Sequence, residues 1–177
     1  MKNFPVTPHF SFFEATRTDR RGFVALNREM GLRRLAKIVL VCEAHEQMRA
    51  LCGGAYVMSS GYRCPELNTE IGGSQTSQHM SAEAGDGWPL GLHYERAGMW
   101  RFFASVIADL KARRIMFGQL ILEELTGTKS GSQFWIHRSL GFPFRPIEKC
   151  GEIMLFKDGK YQMFEHLSFP EYEKGIR

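Results

Sequence analysis

Long hydrophobic runs are missing from this sequence, and nowhere do apolar residues persist for the roughly 20 positions that a membrane-spanning helix needs. The opening MKNFPVTPHFSFFEATRTDRR also lacks the continuous apolar stretch of a secretory signal, so a target outside the cytoplasm would have to be reached by other means. Cysteine is sparse. Four stand at 42, 52, 64 and 150 with no Cys-x-x-Cys pair, which argues against a zinc–cysteine site or a disulfide framework and predicts reduced thiols. An excess of one charge is weak as well: the net charge is +4, and Lys and Arg are scattered without the interleaved aromatics of a nucleic-acid groove. A mildly basic surface suits an anionic wall polymer as well as any other polyanion. Internal repeats, low-complexity tracts and linkers are absent too.

What is present reads as one globular domain. Hydrophobic residues make up 44% and charged residues 24% of 177, ordinary values for a chain that buries a single core, here taken as residues 1–177 with the core over about 9–165. After an irregular start, GLRRLAKIVLVCEAHEQMRALCGG spaces Leu32, Leu35, Ile38, Val39, Cys42 and Met48 as an amphipathic helix stopped by Gly53-Gly54, with Glu43 and His45 facing solvent. AYVMSSGYR predicts a short strand running into a turn. Pro65 then suits the first position of a helix, PELNTEI, ended by Gly72-Gly73. A second long helix over about 94–112 carries Met99, Phe102, Phe103, Val106, Ile107 and Leu110 on one face. QLILE (119–123) and FWIHRS (134–139) read as strands, and EIMLFKDGKYQMF as a hairpin turning at Asp158-Gly159. Helices first and strands later, without βαβ alternation, predict an α+β class with a mostly antiparallel sheet.

Chemistry concentrates in GSQTSQHMSAEAGDGW, residues 73–88. His79 and Asp86 are two metal-ligand types whose spacing fits neither one helix face nor one strand face, so the residues between them are expected to form a loop. A catalytic zinc site takes three protein ligands and keeps one position open, and the third ligand is better supplied by a distant rigid element. His137 is the candidate. Alternation in FWIHRS places Trp135, His137 and Ser139 on one face and Phe134, Ile136 and Arg138 on the other; a histidine so placed is either a ligand or a hydrogen-bonded core residue. Hydrolysis also needs a group to take and return a proton. On the strand QLILE, Glu123 shares a face with Gln119 and Ile121 and reaches the site if the two strands are neighbours; otherwise Glu123 and Glu124 are a charged strand end.

These residues carry a resemblance. SGYRCPELNTEIGGSQTSQHMSAEAGD, FGQLILE, WIHRSLG and more loosely HFSFFEATRTD resemble the zinc D-alanyl-D-alanine carboxypeptidase family of metallopeptidases, including its phage endolysin-like branch, over most of the chain. The resemblance implies a Hedgehog/DD-peptidase-like fold, a Zn2+ cofactor held by His79, Asp86 and His137, and hydrolysis of peptidoglycan stem peptides, by a lysin released to the wall or carried in a virion. It implies further that Arg63 and Ser77 bind the substrate's carboxyl or acyl end and that Glu123, with Glu124 in reserve, is the catalytic carboxylate. The other reading is a non-catalytic phage structural or wall-binding protein that keeps zinc for folding, with a fourth ligand from His45, His93 or Cys64. Three positions depart from the family: Ala82 replaces a frequent glycine, Arg138 replaces a small apolar residue and is expected at the cleft rim, and Phe134 replaces a carboxylate found in some relatives.

Overall fold

The structure, a computed structural model, describes residues 1–166; the remainder of the 1–177 span lies outside the described residues. It is one α+β domain in which six strands form a mixed sheet, ordered β1-β2-β4-β3-β5-β6. The strands are β1 (Tyr56–Ser60), β2 (Ala84–Pro89), β3 (Phe117–Thr128), β4 (Gly131–Leu140), β5 (Glu152–Lys157) and β6 (Lys160–His166). All neighbours are antiparallel except β3 and β5, which run parallel because the chain crosses from β4 past residue 140 before entering β5. The β5/β6 hairpin turns at Asp158 and Gly159, both at positive φ, as the Asp-Gly pair predicts.

The start of the chain is irregular only before Phe12. Ser11 and Glu14 form a capping box on the short helix α1 (Phe12–Ala15), and a 3-10 turn then leads into α2 (Val24–Leu32). The first long helix is α3 (Leu35–Cys52), so Leu32 belongs to the preceding element and is exposed; helical spacing alone cannot show the break at Arg33–Arg34. Gly53 closes α3 in the left-handed conformation that a side chain would strain. α4 (Pro65–Glu70) starts on its proline as expected, and α5 (Arg96–Ala112) is capped by Glu95, whose carboxylate accepts from the Gly98 amide.

α3 and α5 cover one face of the sheet. Phe102, Phe103, Val106 and Leu110 of α5 pack with Leu120, Leu122, Phe134, Ile136 and Ile153. Each such side chain contributes about 1.5–3 kcal/mol on burial, and this layer holds the sheet rigid. The opposite face is left to the functional residues.

His45 lies on the buried side of α3 and is fully enclosed, contrary to the solvent-facing expectation. Two turns of the helix separate it from Ile38, so it shares the core face; its polar type hid that from the hydrophobic pattern. Arg138 is likewise buried instead of at the rim. It points from β4 toward α3, where its guanidinium donates to the Ala44 carbonyl and to Gln47 Oε1 at 2.6 and 2.7 Å.

Candidate metal centre

Three segments converge on the open face of the sheet. Asp86 stands on β2 directly opposite His137 on β4, and His79 reaches in from the turn between α4 and β2. The expected loop is therefore shorter than supposed: β2 already begins at Ala84, and Asp86 is a strand residue. Asp86 Oδ2 lies 3.3 Å from His79 Nε2 and Oδ1 lies 2.9 Å from His137 Nδ1. One donor atom from each residue falls within 4.8 Å of the others, a spacing that fits a single ion. All three side chains are buried.

Backbone contacts fix their orientation. His79 Nδ1 is 2.7 Å from the Gly61 carbonyl, which can only accept, so Nδ1 carries a proton and Nε2 is the nitrogen turned toward Asp86. The Arg63 amide donates to the His79 carbonyl in return. Gly61 itself lies so close to α1 that a Cβ would meet the Ala15 carbonyl oxygen at 2.3 Å, which is why the SGYR turn needs glycine there. Buried Asn27 fastens the same turn, donating to the Thr16 and Tyr62 carbonyls and accepting from the Cys64 amide at 2.7 Å. On the other side His137 Nε2 donates to Gln78 Oε1 at 3.2 Å. Asn27 and Gln78 were not found by sequence reasoning; an amide carries no ligand signal, although Gln78 adjoins His79.

Burial works to raise the Asp86 carboxyl, but the two imidazoles, His79 foremost, outweigh it and hold the group well below the usual carboxylate range. Asp86 is thus an anion between two nitrogen donors, the mixed N/O set that zinc accepts. No fourth ligand joins them among the described residues. His93 instead stacks on Trp88 with centroids 3.9 Å apart and its Nδ1 faces the Phe134 carbonyl; His45 lies on the opposite face, and Cys64 is buried beside Asn27.

Glu123 belongs to the next row across the sheet. Register aligns Trp135, Glu123, Phe156 and Tyr161 on adjacent strands, beside a row formed by Asp86, His137, Ile121 and Met154. Burial in this aromatic row, reinforced by the Asp86 charge, pushes the Glu123 carboxyl up to about 7 against the opposing pull of His137, Arg63 and a hydrogen bond from Trp135. Such a group exchanges protons near neutrality. Glu124 points the other way, buried and paired with Arg96 and Lys157, and is removed from the site.

Arg63 pairs with neither Glu66 nor Glu70. Its guanidinium lies 4.0 Å from Asp86 Oδ2, with long hydrogen bonds to Ser60 Oγ and Asn68 Oδ1 at 3.3 and 3.4 Å, so its fork of donors is loosely engaged. Ser77 sits half-buried in the turn before His79, and its hydroxyl forms no hydrogen bond among the described residues. Ala82 adopts φ 56°, a left-handed conformation in which glycine would be unstrained.

No curated protein and no solved structure gives a significant match to this chain. A family model described as Peptidase M15 matches residues 12–102, just over half of the 177, a span that includes Arg63, His79 and Asp86 and stops short of Glu123 and His137. The turn that holds Arg63 and His79, the strand that carries Asp86 and the match over both agree: the chain belongs to the peptidase M15 family.

Proposed function

We propose that this protein is a zinc-dependent peptidase that hydrolyses peptide bonds in the stem peptides of bacterial peptidoglycan, as a phage-type lysin. The observation that carries the reading is the three-sided donor set of His79, Asp86 and His137, which no fourth ligand joins among the described residues, flanked on the open face by a carboxylic acid poised near neutrality. Structural zinc sites are closed by four protein ligands, whereas three leave a place for reactants, so the geometry favours catalysis over a folding-only role.

His79 Nε2, an Asp86 oxygen and His137 Nδ1 would hold the ion. The chemistry zinc supplies when bound is Lewis acidity toward a carbonyl oxygen and toward water. Glu123 takes a proton from the attacking water and returns it to the departing amine, the double duty for which a carboxyl balanced between its two states is suited. Arg63 binds the carboxylate or carbonyl of the substrate through its free donors, with Ser77 assisting from the turn before His79. Trp135 and Phe156 beside Glu123 exclude water and strengthen each of these interactions.

The test is digestion of purified peptidoglycan with and without a chelator, followed by mass analysis. Chelator-sensitive release of peptides with new amino termini identifies an endopeptidase, release of single D-alanine a carboxypeptidase, and unchanged peptidoglycan removes the catalytic reading in favour of a wall-binding or virion structural role.

A further inference from the structure

A cavity of about 400 Å3 opens beside the metal centre, with Arg63 as the shared wall. Ligand pockets run from ~300 Å3 upward and a water occupies ~30 Å3, so the space suits a long side chain and would be left mostly empty by a methyl group. Its lining is divided by chemistry. Trp88, Leu67 and Ile71 supply an apolar side, and Arg17 and Asp19, from the segment after α1, supply one cation and one anion. Neither Arg17 nor Asp19 has a side-chain hydrogen bond or ion pair among the described residues, so both are available to a ligand. The start of that segment is anchored, since Asn27 holds the Thr16 carbonyl, the Tyr62 amide holds the Ala15 carbonyl and the Arg17 amide donates to the Glu14 carbonyl.

We propose that this cavity is a specificity pocket for a substrate residue whose long side chain ends in both an ammonium and a carboxylate, a diamino dicarboxylic acid. This rests on the peptidase reading above. The methylenes lie along Trp88, Leu67 and Ile71, the distal carboxylate meets the Arg17 guanidinium, and the distal ammonium meets the Asp19 carboxylate. A lysine side chain leaves Arg17 unmatched and a simple dicarboxylic side chain leaves Asp19 unmatched, so the pocket selects for the pair of charges on one side chain.

The test uses four stem peptides that differ only at this residue: the diamino diacid, its distal amide, lysine, and a dicarboxylic residue without the amine. Equilibrium binding to the full-length zinc-loaded protein and kcat/KM are measured for each. Binding tightest for the diamino diacid, weakened roughly tenfold by amidation, supports the pocket; a tenfold change corresponds to about 1.4 kcal/mol. Arg17→Ala should remove the discrimination between acid and amide, and Asp19→Asn that between peptides with and without the distal amine. Equal binding of all four, or preferences unchanged in both variants, overturns the pocket. Graded binding with no hydrolysis of any peptide keeps the pocket and overturns the peptidase reading instead.

Discussion

Glu123 stands in the row of Trp135 and Phe156, and its protonation state is set by that company. If it carries the proton during hydrolysis, Glu123→Gln preserves shape and abolishes proton exchange: turnover should fall by at least ~100-fold, with one zinc per chain retained by metal analysis. Retained activity would remove Glu123 from the chemistry. The same residue makes a separate claim about stability. Its carboxyl is raised from an ordinary value near 4.5 to about 7 in the metal-free fold, so folding favours the protonated form. That contribution is fully present below about 4.5 and is lost as pH rises toward 7. In chelator, the melting temperature of the native protein should decline across this window relative to Glu123→Gln, and parallel curves would contradict the burial-driven shift. At this scale the sequence was legible where residue type implies chemistry. His79, Asp86 and His137 do converge, whereas His45 and Arg138 were misplaced because a polar type predicts exposure and only packing against α3 reveals burial.

Among the elements, β2 has little tolerance for added side chains. Gly85, Asp86 and Gly87 alternate so that Asp86 faces the site while the two glycines press on buried rings: a Cβ at Gly85 would meet His45 Nε2 at 2.6 Å, and one at Gly87 would meet the Tyr56 hydroxyl at 2.8 Å. Among the described residues the Tyr56 hydroxyl and both His45 ring nitrogens have no hydrogen-bond partner, so these rings act as spacers under the strand. Gly85→Ala should therefore cost about 1–3 kcal/mol through overpacking and weaken zinc affinity by displacing Asp86. In a double-mutant cycle His45→Ala should offset part of that loss by making room; strict additivity would show that the two do not press on each other. Strand alternation was readable, which is why the faces of β3 and β4 came out as expected. The parallel pairing of β3 with β5 was not, because a crossover leaves no periodic mark in the chain. Ala82 is an intermediate case. The sequence resemblance singled out the position, and its φ of 56° is left-handed, while the buried methyl offsets part of the ~1–2 kcal/mol strain.

Across the molecule, the ion would join parts of the chain that no continuous element connects. Asp86 and His137 are 51 positions apart, and His79 comes from a turn outside the sheet. In the unfolded chain these ligands are dispersed, so an ion held by all three would bind the native state almost exclusively and would stabilise it by mass action. At free zinc about 100-fold above the dissociation constant this amounts to ~2.7 kcal/mol, which for a domain of this size raises the melting temperature by roughly 5–10 °C. Differential scanning calorimetry of chelator-treated protein titrated with zinc should show that rise, and excess chelator should reverse it. His137→Ala removes the one ligand that lies outside the family match and should abolish the shift, whereas Glu123→Gln, which keeps all three ligands, should retain it. A zinc-dependent rise surviving in His137→Ala would place the ion elsewhere in the fold, and with it the convergence on which the proposed catalysis depends.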